Sequence, residues 1–205
     1  SLKSATRIKR GSGCRQRVSL QSLIPHGWQD FLRVSENKTQ LFSLLSNYLV
    51  ENLAIDSKLV VATDGSSVLS TAALPDSVLL MPCAHEEADT RMLLHVFHAA
   101  QRGFGKAMIR TVDTDVVVIA VSEWHLLKLD ELWLSFGVGE KQRFIAVHEI
   151  ANGLGVERCK ALPFFHALTG CDTTSSFLGH GKKGAWETWN LFPDVTHSFV
   201  QLSDK

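Results

Sequence analysis

The stretch that decides the fold is Ala107-Met-Ile-Arg-Thr-Val-Asp-Thr-Asp115, which runs directly into Val-Val-Val-Ile-Ala-Val121. Its apolar beginning predicts a strand that leads to Asp113. The β-branched run that follows is compatible with a strand or with a buried helix, because periodicity alone does not separate the two. The pattern therefore predicts a strand that ends at two closely spaced carboxylates.

Further helices and strands alternate on both sides of this stretch. Amphipathic spacing predicts helices over Gln29–Leu53, Glu86–Arg102, Val147–Leu154 and Arg158–Leu168. Short apolar runs predict strands at Leu59–Ala62 and Val78–Met81. Because strands that alternate with helices are typical of α/β folds, we expect a mostly parallel sheet.

The composition is typical of one soluble globular domain. Hydrophobic residues make up 45% of the 205 residues and charged residues 20%, and the formal net charge is zero. The four cysteines are widely spaced without a Cys-x-x-Cys pair, which argues against a zinc ribbon and favours a reducing, intracellular compartment. No apolar run approaches the roughly 18 residues of a membrane span, so no membrane partner is expected.

The first 29 residues contain no Asp or Glu and are rich in Lys and Arg. The cations are Lys3, Arg7, Lys9, Arg10, Arg15 and Arg17. Such an arm on a neutral protein indicates a phosphate backbone or another polyanion as a partner. A solvated chain terminus explains the same pattern equally well, and charge alone leaves both interpretations open.

Carboxylates occur beside apolar sequence in three segments. These are His85-Glu-Glu-Ala-Asp-Thr90, Val112-Asp-Thr-Asp115 and Thr169-Gly-Cys-Asp-Thr-Thr174. In parallel α/β sheets, ligands bind at the carboxyl ends of the strands. Carboxylates gathered there repel one another unless a divalent cation is bound, and Mg²⁺ or Mn²⁺ prefers such oxygen ligands.

Each acidic segment also has a purely structural interpretation. Carboxylates at a helix start, such as Glu86, cap free N–H groups and complement the helix dipole. Asp172 could cap the next element, and Asp64 in Thr-Asp-Gly is better explained as a turn residue than as a metal ligand. The order and spacing of the three segments together favour a functional role.

In that order the three segments resemble the motifs of the flap-endonuclease type of PIN-like nucleases. The family's Glu-x-Glu, Asp-x-Asp and Gly-Cys-Asp correspond to Glu87-Ala-Asp89, Asp113-Thr-Asp115 and Gly170-Cys-Asp172. The resemblance implies a PIN-like three-layer α/β/α fold with a mostly parallel central sheet. It also implies that the N-terminal strand is missing, so that residues 1–28 form a basic arm or linker and residues 29–205 the nuclease core.

The activity implied by this resemblance is hydrolysis of phosphodiester bonds in DNA or RNA with two Mg²⁺ or Mn²⁺ ions. The implied catalytic residues and metal ligands are Glu87, Asp89, Asp113, Asp115 and Asp172, with Glu86 in reserve. The implied partner is a nucleic acid, DNA in preference to RNA, and the implied location is nuclear. The oligomeric state stays open.

A glycine-rich segment at 179–185 resembles the helix–hairpin turn with which the family grips a nucleic-acid backbone. The implied nucleic-acid-binding residues are Lys3, Arg7, Lys9, Arg10, Gly179, Gly181, Lys182 and Lys183.

Two departures from the family pattern keep alternatives open. Asp89 stands where the family has a longer Glu, and Thr173 and Thr174 replace the acidic and aromatic residues that often follow Gly-Cys-Asp. A catalytically inactive, PIN-like nucleic-acid-binding module is therefore the alternative function. A structural zinc protein that uses His85, His166 and Cys171 is a third, weaker hypothesis.

Overall fold

The structure is a computed structural model that describes residues 14–53, 58–74, 77–81, 88–172 and 174–203. These residues form a mixed α/β protein with eight α-helices, one two-stranded sheet and one three-stranded sheet. The chain divides into two compact units, residues 1–86 and residues 87–205. The domain boundary predicted after residue 28 lies inside the first unit and stays a prediction.

The first unit contains two helices and a hairpin. Helix α1 (Trp28–Arg33) and helix α2 (Ser35–Asn52) confirm the predicted helix, with a break where Val34 is extended. Strands β1 (Val61–Asp64) and β2 (Ser67–Ser70) pair in antiparallel fashion.

One of the predicted strands is wrong. The segment predicted as a strand at Val78–Met81 contains a single 3₁₀ turn, Ser77–Leu79. The backbone N–H groups of Leu80 and Met81 both donate to the carbonyl oxygen of Ser77. Local hydrogen bonds thus take the place of strand pairing, which a four-residue apolar run cannot enforce by itself.

The second unit is built on a three-stranded sheet in the order β3-β4-β5. Its elements begin with helix α3 (Ala88–Gln101), strand β3 (Lys106–Thr111), helix α4 (Thr114–Leu127), strand β4 (Glu131–Phe136) and strand β5 (Arg143–Ala146). Strands β3 and β4 are parallel and are joined through α4, whereas β5 is antiparallel to β4.

The mostly parallel sheet is therefore a wrong prediction for the described strands. The connection from β4 to β5 has only a short 3₁₀ turn, Gly139–Lys141, between the two strands. A parallel crossover needs about a dozen residues or more, so this connection can only make a hairpin. On one face of the sheet, Ile109 and Leu134 are buried against the helices. On the opposite face, Met108 is 60% exposed and Phe144 is 61% exposed.

Helix α4 resolves the ambiguous β-branched run of Val116–Val121. Asp113 caps its start, and Lys128 ends it in the left-handed conformation with φ 52°. Val116, Ala120 and Val121 are almost fully buried. The run is helical because it lies in the centre of the hydrophobic core, where burial outweighs the modest helix propensity of valine.

Four helices complete the second unit: α5 (Val147–Leu154), α6 (Val156–Leu168), α7 (Lys182–Leu191) and α8 (Val195–Ser203). The first two confirm the predicted helices. A second hydrophobic cluster, centred on Phe165 and Trp189, joins α6, α7 and α8. Among the described residues, no helix is long and apolar enough to cross a membrane.

Candidate active site

The candidate site lies where β3 ends and α4 begins, at the carboxyl end of a parallel strand. The backbone N–H of Asp113 donates to Thr111 Oγ1 at 3.0 Å. Asp113 Oδ1 in turn accepts a hydrogen bond from the backbone N–H of Asp115 at 2.9 Å, so Asp113 is the N-cap of α4. The capping role and the predicted site role thus fall on the same residue, and capping uses one of its two oxygens.

Asp115 contacts a histidine that lies far away in the sequence. Its Oδ1 atom is 2.9 Å from Nε2 of His166, near the end of α6, 51 residues further along the chain. The two side chains are 30% and 15% exposed. Helices α4 and α6 pack against each other, which brings these two residues together.

Both aspartates lie where the helix N-terminus stabilises negative charge. The unsatisfied N–H groups at the start of α4 carry a partial positive charge, which favours carboxylates at these positions. Within the described part of the chain, hydrogen bonds to Asp113 and Asp115 use only the Oδ1 atoms. No hydrogen bond from a described residue to Oδ2 of either carboxylate is seen.

Lys182, the first residue of α7, lies close to this pair. Its Nζ donates to the carbonyl oxygen of His166 at 2.9 Å and to Thr169 Oγ1 at 3.0 Å. Burial lowers the pKa of Lys182, and the charges of Cys171 and Asp115 partly offset that shift. Its ammonium group thus satisfies the carboxyl end of α6.

The Gly170-Cys171-Asp172 motif forms a tight turn after α6. Gly170 has φ 96°, and a Cβ atom there would lie 2.8 Å from Cβ of Ser176. Hydrogen bonds between Cys171 and Thr174 hold the turn. The turn leaves Asp172 exposed.

The predicted carboxylates are brought together only in part. Asp113 and Asp115 both lie at the start of α4, where the Asp113 carboxylate accepts from the backbone N–H of Asp115. Asp89 lies in the first turn of α3 and Asp172 in the exposed turn. Among the described residues, no group of three or more His, Cys, Asp or Glu side chains is arranged to hold a metal ion. Glu86 and Glu87 lie outside the described residues.

The described contacts supply two of the predicted metal ligands and no complete metal site. Mg²⁺ is usually held by one or two carboxylates together with waters and substrate phosphates. Asp113 and Asp115 both lie at the start of α4, but no described contact joins their two carboxylates. The described residues complete neither a two-ion site nor any other group of three metal-binding side chains. His85, one of the three ligands in the zinc hypothesis, lies outside the described residues.

The predicted nucleic-acid-binding residues fall into two groups. Lys3, Arg7, Lys9 and Arg10 lie outside the described residues. In the glycine-rich segment, Gly179 has φ 78°, Gly181 is the N-cap of α7 and Lys183 is exposed. Lys182 is engaged with the end of α6, so Lys183 is the better placed of the two for contact with a phosphate.

His166 is the site residue that the motif-based predictions missed, since it entered only through the zinc hypothesis. Its position in the last turn before Gly170-Cys171-Asp172 was the available signal, because that turn adjoins a predicted motif.

No family model, curated protein or solved structure matches the chain.

Proposed function

We propose that this chain is a metal-dependent nuclease domain of the PIN-like, flap-endonuclease type that hydrolyses phosphodiester bonds, with DNA as the preferred substrate. The observation that supports the proposal best is that two aspartates, Asp113 and Asp115, lie at the carboxyl end of β3 where α4 begins. The β3–α4–β4 unit is the part of the fold that supports a PIN-like arrangement. Ligand sites of α/β folds lie at this end of the strands.

The proposed reaction needs oxygen ligands and no covalent nucleophile. Bound Mg²⁺ or Mn²⁺ ions would lower the pKa of an attacking water and stabilise the leaving oxygen. Asp113 and Asp115 would hold the ion with the oxygens that the fold leaves available. In the proposed two-ion site, Glu87, Asp89 and Asp172 would contribute further ligands.

The proposed backbone contact lies at the start of α7. Gly179 and Gly181 allow the chain to approach a phosphate closely, and the N–H groups of the first turn of α7 carry partial positive charge. Lys183 is exposed beside them. This surface would bind the nucleic-acid backbone without reading its sequence.

The test is a cleavage assay on single-stranded, flap and duplex DNA and on RNA, with Mg²⁺ or Mn²⁺ and with EDTA. The Asp113→Asn, Asp115→Asn double variant keeps the shape of both side chains and removes both charges. We expect cleavage to require the metal and the variant to lose at least about 100-fold in rate, since metal stabilisation of the transition state is worth several kcal/mol.

The matched control is Asp130→Asn, an exposed aspartate just before β4, at the opposite end of the parallel strands. It should cleave at the wild-type rate. Metal-dependent cleavage that persists in the double variant would overturn the proposal.

The inactive binding module remains a second candidate function, and one observation favours it. The described residues assemble no group of three metal-binding side chains. If this candidate is correct, the chain binds DNA equally well in EDTA, and no substrate is cleaved with either metal.

A further inference from the structure

An apolar groove in the first unit has no part in the proposed nuclease function. It lies between residues 16–25 and helices α1 and α2, and its volume is about 440 Å³. The lining is mainly apolar and includes Val18, Leu23, Ile24, Trp28, Phe42 and Leu45. Binding sites in proteins are typically concave and apolar and have volumes of this order. The groove is therefore large enough to take up apolar side chains of a partner.

The walls of the groove are held in place by hydrogen bonds from one buried side chain. Asn37 of α2 is fully buried, and its Nδ2 donates to the carbonyl oxygens of Cys14 and Phe31 at 3.0 Å and 3.1 Å. Its Oδ1 accepts a hydrogen bond from the backbone N–H of Gln16 at 2.9 Å. These bonds fix the start of the 16–25 wall against both helices. Because the groove is already formed, a partner binds it with a smaller loss of conformational entropy.

Apolar side chains at the rim of the groove are exposed to solvent. Leu23 is 92% exposed and Ile24 is 83% exposed. Trp28, whose ring stacks on Phe31 with the ring centres 5.5 Å apart, and Phe42 are exposed as well. Exposed apolar residues that lie together around one groove mark an interaction site, whereas single ones do not. We therefore interpret the groove and its rim as one surface for a partner.

The charge at the groove is positive. Arg17 is the only charged residue among the described ones that line it, and Arg15 is exposed two residues earlier. The first carboxylate of the chain, Asp30, is paired with Arg33. Within the described part of the chain, neither Arg15 nor Arg17 forms an ion pair. Charge complementarity therefore favours an occupant that carries carboxylates.

The same observations disfavour other classes of occupant. A second copy of the chain that used this surface would bring its own Arg15 and Arg17 against these cations. A nucleic-acid backbone would place phosphates against an apolar lining, whereas interfaces with nucleic acids are polar. A flat membrane surface would leave the inside of the groove unfilled. A protein segment with both apolar and acidic side chains matches the lining and the charge together.

We propose that the first unit binds an acidic amphipathic segment of another protein in this groove. Apolar side chains of the segment fill the groove, and its carboxylates lie beside Arg15 and Arg17. Amphipathic helices bind apolar grooves of other proteins in this way. The inference does not depend on the proposed nuclease function.

The test begins with the selection of a random peptide library on the full chain. Peptides of about 15 residues are long enough for about four helical turns. The enriched peptides are labelled, and their affinity is measured by fluorescence anisotropy. We expect them to combine leucine or aromatic residues with an excess of Asp and Glu, and to bind more weakly as salt is added. If no peptide is enriched, or if the enriched peptides have no acidic excess, the proposal is wrong.

Two variants address the charge and the apolar rim separately. The Arg15→Glu, Arg17→Glu double variant reverses the charge, and Leu23→Glu places a carboxylate on the rim. Each should weaken binding of the selected peptides at least about 10-fold. Peptides whose acidic residues are exchanged for lysine should regain affinity for the charge-reversed variant. Phe42→Glu is a second rim variant, and thermal unfolding shows whether each variant keeps the fold.

The matched controls make the same changes at exposed positions of the second unit. Arg102→Glu and Leu126→Glu should bind the selected peptides as the wild type does. Wild-type affinity in the charge-reversed variant and in both rim variants would overturn the proposal.

The same assay is run with single-stranded DNA and with vesicles that contain phosphatidylserine. We expect neither to lose affinity when Leu23 is changed to Glu. If either one binds the wild-type chain but not Leu23→Glu, and no peptide is enriched, the partner belongs to that class and the proposal is wrong.

Discussion

At the scale of single residues, Asp113 combines two roles that substitution can separate. Its Oδ1 atom caps α4, and its charge is proposed to bind a metal ion. Asn is as good an N-cap as Asp, whereas Ala provides no acceptor. We expect Asp113→Ala to lower the free energy of unfolding by about 1 kcal/mol relative to Asp113→Asn in urea denaturation. Equal stabilities of the two variants would show that the cap contributes nothing.

Gly170 is predicted to be intolerant of substitution. Its φ of 96° and the 2.8 Å approach of Ser176 both exclude a Cβ atom. Gly170→Ala should reduce the free energy of unfolding by at least about 1–2 kcal/mol. Gly153→Ala is the control, because Gly153 lies in α5 with nothing within 4 Å of the added atom. That change should stabilise the protein by up to about 1 kcal/mol, and equal effects at the two positions would contradict the explanation.

The sequence places part of the candidate site. Asp113 and Asp115 could be found because they follow an apolar strand directly, so local sequence is enough to place them together. The contact of His166 with Asp115 could not be predicted, because it depends on how α4 and α6 pack across a separation of 51 residues. Burial that comes from tertiary packing leaves no local pattern.

At the scale of elements, Arg158 links α6 to α7. Its guanidinium lies 5.2 Å from the ring centre of Trp186 and 4.8 Å from that of Trp189, and Nη2 donates to Asn190 Oδ1 at 2.6 Å. Loss of these contacts in Arg158→Ala should reduce the free energy of unfolding by about 1–3 kcal/mol. Urea denaturation followed by tryptophan fluorescence measures the change.

The control for this prediction is Arg143→Ala. Arg143 is exposed and lies 5.3 Å from the ring centre of Phe136. Because water screens such a contact, the loss should stay below about 1 kcal/mol. If the two alanine variants lose equal stability, the stacked arrangement of Arg158 has no special contribution.

Elements with a clear amphipathic spacing were predicted well, whereas short apolar runs without it were not assigned reliably. Helices α3, α5 and α6 follow their apolar spacing closely. By contrast, the run at Val116–Val121 forms a helix and the run at Val78–Met81 contains a 3₁₀ turn, although both are apolar and rich in strand-forming residues. Whether such a run becomes a strand depends on neighbours that can pair with it, and that information is not local.

At the scale of the whole molecule, chemical labelling of one buried cysteine can report the unfolding of the second compact unit. Cys159 is fully buried in α6, and burial raises the pKa of its thiol. Cys14 is exposed. Since the thiolate is the reactive form, both burial and the raised pKa protect Cys159.

We expect iodoacetamide to label Cys14 rapidly and Cys159 only as the unit of residues 87–205 unfolds. Peptide mass spectrometry at increasing urea concentrations resolves each cysteine. Labelling of Cys159 in the absence of urea at the rate of Cys14 would contradict the buried core described above.

Direct binding of Mn²⁺, measured by calorimetry at neutral pH without any nucleic acid, tests the proposed metal site most directly. The wild-type chain and Asp130→Asn should bind Mn²⁺ alike, and the Asp113→Asn, Asp115→Asn double variant should show no binding in the same range. Equal binding by the double variant, or no binding by the wild-type chain, would contradict a cation site at the start of α4.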